Sequence, residues 1–390
     1  MKRQLKPNIY SVGAIDWDRR LFDELIPLPD GTSYNSYLIK GKEKTALIDT
    51  VDPTKEKDLV EGIGDSGIGV SKIDYIIAHH AEQDHSGSLP LILELHPEAK
   101  VVTNAKCKEM LKDLLLIPEE RFVVVSDRET LSLGDKALEF IFTPWVHWPE
   151  TMVTYLKEDK ILFSCDFFGS HLATSDLFVV DEAKVYDSAK RYYAEIMMPF
   201  RAAIKGNIEK LKGLPIEMIA PSHGPVYKRP SLIIDAYKDW TSDQVKPEVV
   251  LPYVSMHGST AEMVHYFIQL LLDKGITVKP FNLTTADIGE LAKALVDAST
   301  IVIGTPTVLA GAHPKALYAA ALVNALRPKA KYLSVIGSFG WGGKMVEQLQ
   351  ALLPNIKAEI LDPVLCRGVP KQADFTALKE LADTVAKKQQ

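Results

Sequence analysis

Near residue 245 the rhythm of this chain changes, and the second rhythm limits the possible folds more than any other feature. Beyond it, "VVLPYV", "TVKPFNL", "TIVIGTP", "KYLSVIG" and "AEILDPV" are five apolar runs of strand length, separated by helical stretches of a dozen residues or more. Parallel strands need a long crossover between them, and a helix is the usual one. The alternation is therefore the signature of a doubly wound parallel sheet. The polar, proline-bearing stretch around residues 240–248 reads as a linker. A chain of 390 residues favours two domains, and the boundaries expected are 1–245 and 246–390.

The first 245 residues have a less regular pattern. Short strand-like runs ("IYSVGAI", "SYNSYLIKG", "KTALIDTV") lead into "IDYIIAHH" and "AKVVTNA" as strands, with "SLPLILELH" and "KCKEMLKDLLL" as helices. Four further strands follow at "RFVVVS", "LEFIFTPWV", "TMVTYLK" and "DKILFSCD". A long helical pattern, "DSAKRYYAEIMMPFRAAIKGNIEKLKGL", precedes a last apolar strand, "IEMIAPSHG". Mixed strands with interspersed helices imply an α/β or α+β sandwich.

A formal net charge of −6 gives no reason to expect a nucleic-acid partner. No apolar run reaches the roughly 18 residues a membrane span needs, and "MKRQLKPNIYSVG" lacks the apolar stretch of a secretory signal. Cys107, Cys165 and Cys366 are scattered with no CxxC pair, so a cysteine-ligated zinc or rubredoxin-type site is not expected. The cytoplasm is the expected compartment.

"AHHAEQDHSGSLP" crowds imidazoles and carboxylates that resist burial unless something positive binds them. His80, Glu82, Asp84 and His85 lie in the loop after the apolar "DYIIA", at the strand end where α/β sites usually sit. In extended backbone His80, Glu82 and Asp84 point one way, and a turn at Ser86–Gly87 brings His85 round. His79 points to the opposite face and reads as structural. Further candidates follow distant apolar strands: His147 in "TPWVHWPET", Asp166 in "LFSCDFFGSH" and His223 in "APSHGPVY". Four histidines and three carboxylates suit a dinuclear metal site with one bridging carboxylate. Cys165 reads as a small core hydrophobe, and Trp145 and Trp148 as packing around His147.

In the C-terminal half, Ser255, Met256, His257, Gly258, Ser259 and Thr260 join a strand to a helix, where backbone N–H groups and hydroxyls form a phosphate cradle. With no Gly-rich dinucleotide loop and no GK[ST], a phosphomonoester such as that of FMN is expected. Two later loops lie on the same sheet edge: Thr305, Pro306, Thr307, Val308, Leu309 and Ala310, then Ser338, Phe339, Gly340, Trp341 and Gly342. Trp341 is a candidate to stack on the flavin or to cover a domain interface.

The first domain resembles the metallo-β-lactamase superfamily, whose motif H-x-H-x-D-H stands here with Glu82 in place of the second histidine. That exchange, the attached second domain, and the stretches "HWPETM", "SHG" and "YYAEIMMPF" look like the flavodiiron proteins. The resemblance implies an N-terminal metallo-β-lactamase-like αββα sandwich and a C-terminal flavodoxin-like five-stranded parallel sheet. It implies two non-haem irons, one held by His80, Glu82 and His147, the other by Asp84, His85 and His223, with Asp166 bridging. An added carboxylate makes the site harder and favours iron over zinc. His171 and Tyr193 resemble the family's pocket-lining pair, although a structural role fits each equally well. Relatives often carry a histidine after a phenylalanine near the N-terminus, where this chain has Phe22-Asp23. The activity implied is reduction of O2 to water, of NO to N2O, or both, through FMN. A separate rubredoxin or reduced coenzyme F420 would be the donor, and a head-to-tail homodimer, or a dimer of such dimers, would bring the centres together. The alternative is a dizinc hydrolase whose flavodoxin-like domain only docks partners.

Overall fold

The computed structural model describes residues 3–66 and 72–389. The chain divides into two compact units, Met1–Tyr192 with Phe200–Thr241, and Tyr193–Pro199 with Ser242–Gln390. The division thus falls at Thr241/Ser242, inside the stretch read as a linker.

Two sheets make the first unit. One has seven strands in the order Arg3–Lys6, Ile9–Ser11, Tyr37–Lys40, Thr45–Ile48, Tyr75–Ile77, Lys100–Thr103 and Phe122–Val124. The other has five: Thr130–Ser132, Ala137–Phe142, Met152–Leu156, Ile161–Cys165 and Met218–Pro221. Alternation along the strands sorts the apolar side chains between two cores. Tyr37, Ile39, Ala46, Ile48, Ile77 and Val102 join Phe140, Met152, Phe163 and Ala220 of the second sheet in the core between the sheets. Their neighbours Leu38, Leu47, Ile76 and Val101 face outward, onto Leu59, Ile92 and Leu111 of helices Glu56–Asp65, Leu89–Leu95 and Ala105–Leu115. On the far side, helices Arg201–Leu211 and Ser231–Thr241 pack on each other, and Tyr237 meets Phe167 and Phe168 edge-on. The layers are helix, sheet, sheet and helix.

The long helical pattern expected from residue 187 onward is broken. A helix, Glu182–Tyr192, gives way to a π turn at Tyr193–Met197 and a 3-10 turn at Met198–Phe200 before helix Arg201–Leu211 begins. Pro199 offers no N–H to the turn before it and crowds that turn's carbonyl, so one α-helix cannot run through.

In the second unit the parallel sheet runs Thr277–Asn282, Lys246–Tyr253, Ala298–Val308 and Tyr332–Phe339. The fifth run is split: Glu359–Ile360 and Val364–Arg367 both pair in parallel with Tyr332–Phe339. Pro363, which has no N–H to donate, lies in the gap. Val249, Leu251, Val302 and Ile336 pack against Phe267 and Leu271 of helix Ser259–Leu272 and Leu378 and Val385 of helix Gln372–Gln389. Helices Ile288–Leu295 and Pro314–Leu326 also lie on strands Lys246–Tyr253 and Ala298–Val308. The terminal "VAKKQQ" ends that last helix, with Gln390 outside the described residues. Among the described residues, no helix is long and apolar enough to cross a membrane.

Candidate metal centre and the cavity of the second unit

Four loops at strand ends converge in the first unit. His80 follows strand Tyr75–Ile77, His147 lies beyond Ala137–Phe142, Asp166 follows Ile161–Cys165, and His223 follows Met218–Pro221. Glu82 has extended backbone (φ −60°, ψ 141°), but the chain then turns helical at Gln83–Ser86. Backbone N–H groups of His85 and Ser86 donate to Glu82 O at 3.1 and 2.9 Å, and Ser86 Oγ donates to Ala81 O at 2.7 Å. The alternation expected of His80, Glu82 and Asp84 therefore ends at Glu82. Asp84 sits instead with His85 and His223.

The candidates gather into two groups about one carboxylate. His80 and His147 place Nε2 at 3.1 and 3.0 Å from Glu82 Oε2, and both lie 3.5 Å from Asp166 Oδ2. On the other side, Asp166 Oδ1 is 3.0 Å from His85 Nε2 and 3.3 Å from His223 Nε2. Asp84 completes that group, 3.2 Å from each of the two rings. Metal–ligand bonds of about 2.1 Å put neighbouring ligand atoms roughly 3.0–3.4 Å apart at octahedral or tetrahedral angles. The observed separations are such edges. Both carboxylate oxygens of Asp84, Asp166 Oδ2 and His85 Nε2 are buried with no hydrogen-bond partner among the described residues. Buried polar atoms are seldom left so, and a cation in each group would satisfy them. The donor set fits two metal ions.

Electrostatics give the same picture. Burial pulls His147 and His223 down, but the facing carboxylates of Asp166 and Glu82 lift the first to about 9, and those of Asp166 and Asp84 lift the second to about 10. His80 and His85 are also raised against their burial, by Glu150 and Glu82 in one case and by Asp166 and Asp84 in the other. Without metal the cluster holds protons in its place. Cys165, which precedes Asp166, and Phe168, two residues after it, both have left-handed backbone at φ 50° and 71°. Strained non-glycine residues of this kind cost about 1–3 kcal/mol and gather at functional sites.

Around this cluster the remaining sequence candidates separate. His79 hydrogen-bonds through Nδ1 to Asp49 (2.8 Å) and through Nε2 to Thr154 (2.7 Å), away from the centre. His171 lies against His223 with ring centroids 5.0 Å apart. Its Nδ1 meets Thr32 Oγ1 at 2.9 Å, and its Nε2 is buried without a partner among the described residues. Burial and the neighbouring His223 hold His171 well below the usual imidazole range. Tyr192 donates its hydroxyl to Asp166 Oδ1 at 2.9 Å, and the next residue, Tyr193, groups with the second unit. Trp148 meets His80 edge-on at 4.9 Å, whereas Trp145 stacks on Phe200 instead of on His147. Phe22 lies over His171 at 5.0 Å. Beside it, burial and the charges of Glu82 and Asp84 push the Asp23 carboxyl up to about 6.

Sequence reading missed Glu150, which accepts from His80 Nδ1 at 2.7 Å, and Ser33, whose carbonyl accepts from His223 Nδ1 at 2.7 Å. Glu150 left one signal, a carboxylate three residues from His147; a backbone carbonyl leaves none.

The second unit has a cavity of about 320 Å³ at the C-terminal edge of its sheet. Ser255, Met256, His257, Ser259 and Thr260 line it from the first loop, Pro306 and Thr307 from the second, and Ser338, Phe339 and Gly340 from the third, with Gly368 and Val369 as additions. Gly258, at φ 97°, opens helix Ser259–Leu272. Its conformation is one that a side chain rarely adopts. Thr307 Oγ1 is buried without a partner among the described residues. Thr305, by contrast, bonds within its own loop, to Pro306 O and His313 N. Val308 pairs with Gly311 around a turn at Leu309 and Ala310. Leu309 and Trp341 are 90% and 68% exposed, and Gly342 has open space about it. A helix start with hydroxyls on one side and glycine-rich backbone on the other fits a phosphate with a flat apolar group.

Residues 32–224 match the model of the ODP family beta lactamase. The chain is 35% identical over 387 residues to a nitric oxide reductase of Moorella thermoacetica, covering 97% of this chain and 96% of that one. Among solved structures it is similar to the rubredoxin oxygen:oxidoreductase of Desulfovibrio gigas, with TM-score 0.96 and 31% identity over 100% of this chain and 98% of that one. It is also similar to a flavodiiron protein from Giardia intestinalis, with TM-score 0.92 and 28% identity, covering 100% and 97%.

Proposed function

As the chain belongs to the flavodiiron protein family, we propose that it reduces dioxygen to water, nitric oxide to nitrous oxide, or both, at two irons supplied with electrons through FMN. His80, Glu82 and His147 would hold one iron, Asp84, His85 and His223 the other, and Asp166 would bridge them. The observation that carries this reading is Asp166, whose two oxygens each face a separate pair of histidines. Bound iron would supply redox-active positions for O2 or for a pair of NO molecules, and FMN would supply one- and two-electron exchange.

The residues of the chain supply placement and protons. Water formation consumes four protons per O2 with four electrons, and nitrous oxide formation consumes two per pair of NO with two electrons. His171 is held neutral at neutral pH. Thr32 Oγ1 holds the ring through Nδ1 at 2.9 Å, and Nε2 lies buried beside the His223 half, where the ring can relay a proton. Phe22 and Trp148 close apolar faces over the histidines and limit water. In the second unit, Ser255, Ser259 and Thr260 would cradle the FMN phosphate at the helix start, and Thr307 and the loop Ser338–Gly342 would line the ring.

Apolar rims support a head-to-tail homodimer. Leu21, Leu25 and Trp145 are exposed on the first unit, and Met256, Trp341 and Val369 on the second. The electron donor we propose is a rubredoxin-type protein, since the three cysteines of this chain are free, buried and apart, and a structural relative is named for that partner. Free buried thiols also suit the reducing cytoplasm.

The test is iron and flavin content of the purified protein, followed by anaerobic NO turnover and O2 consumption with a reduced donor. About two irons and one FMN per chain with turnover support the reading. Two zincs, no flavin and hydrolysis of ester substrates would replace it with the dizinc hydrolase.

A further inference from the structure

We propose that Glu150 is a positioning residue that makes the His80–Glu82–His147 half of the centre the stronger of its two metal positions, so that metals enter in a fixed order. The inference rests on the dimetal reading above. Glu150 is 2% exposed. Its Oε1 accepts from His80 Nδ1 at 2.7 Å and from Ala81 N at 3.1 Å. Asn104 Nδ2 grips its carbonyl at 2.5 Å. A carboxylate on the far nitrogen of a ligating imidazole fixes the tautomer, leaves Nε2 as the donor and raises its basicity.

The other half has no equivalent among the described contacts. His223 Nδ1 faces a neutral carbonyl, Ser33 O, at 2.7 Å. Asp166 extends the asymmetry. Its Oδ1, on the His85 and His223 side, accepts a hydrogen bond from Tyr192 and gives up part of its electron density. Its Oδ2, on the His80 and His147 side, accepts none among the described residues. Charge balance agrees. Two divalent ions bring four positive charges, and Glu82, Asp84 and Asp166 answer three. Glu150 adds a further negative charge directly behind the His80 position, and a buried charge left unanswered is expensive. Its Oε2 is itself buried without a partner among the described residues, a cost that a purely structural residue would have no reason to bear.

The experiment uses metal-stripped full-length protein and anaerobic ferrous iron enriched in 57Fe, read by Mössbauer spectroscopy and by competition with a chromophoric chelator. One equivalent per chain should give one quadrupole doublet, and the second doublet should grow only with the second equivalent. Glu150→Gln keeps the shape and an acceptor oxygen but removes the charge. It should weaken the first step by about 10–100-fold and leave the second within roughly twofold, so that one equivalent then populates both doublets. Two doublets of equal area at one equivalent in the unaltered protein overturn the proposal, whatever the variant does. An unchanged first step in Glu150→Gln overturns it as well. In both cases the dimetal reading stands. Failure of the unaltered protein to bind iron at all overturns both.

Discussion

Metal binding here should be a proton exchange, steep in pH. In the metal-free protein the carboxylates hold His80, His85, His147 and His223 protonated above their ordinary range. A metal needs those nitrogens bare, so each proton must leave. At pH 7, His147 at about 9 and His223 at about 10 resist by two and three pH units. At 1.36 kcal/mol per unit that is about 3 and about 4 kcal/mol. Both values exceed 8, so from pH 7 to 8 the combined affinity for two metals should rise about 90-fold from these two groups alone. The metal-free protein should show the opposite trend. Histidines raised by folding stabilise it fully below about 6.5, their unfolded value, and that contribution is lost as pH rises through about 9 to 10. The assay is anaerobic Fe(II) addition to weakly buffered metal-free protein with an indicator dye, together with affinities at pH 7 and 8. Release of fewer than two protons per pair of metals, or an affinity that changes less than twofold, would refute the reasoning.

Three further outcomes follow from single contacts. Asp166→Asn should cost both metals and not one, because each oxygen faces a different pair of histidines. With iron at about 100 times Kd, each lost site removes about 2.7 kcal/mol of ligand stabilisation, so thermal unfolding should no longer respond to added iron; retention of one iron refutes the bridge. Tyr192→Phe removes a hydrogen bond to a charged acceptor, worth about 1.5–3 kcal/mol, and should lower the urea midpoint of the metal-free protein; an unchanged midpoint refutes it. Gly258→Ala has open space for its methyl group but sits at φ 97°. It should cost about 1 kcal/mol in backbone strain and weaken FMN retention with the iron content unchanged, which a fluorescence titration of released flavin checks.

Much of the second unit was legible because its signal is local. Apolar strands of period two or continuous burial, separated by crossover-length helices, leave few topologies. What remained hidden was the split of its last strand, since the pattern of "AEILDPV" is apolar on either side of a proline whose effect depends on where the neighbouring strand runs. The metal-site candidates were legible for a similar reason: a dense H-x-E-x-D-H run states its chemistry in the residue types themselves.

Their division into two groups was not. Asp84 leaves the side shared by His80 and Glu82 only because the chain turns helical at Gln83, stapled by Ser86 to Ala81. Tyr192, the last residue of its helix, reaches Asp166 across 26 positions of chain. Glu150 and the Ser33 carbonyl act on histidines 70 and 190 positions away in the chain. Residue chemistry is carried by the sequence. The second layer of contacts that orients it is made by residues brought together only when the sheets pack, so only the tertiary structure decides it.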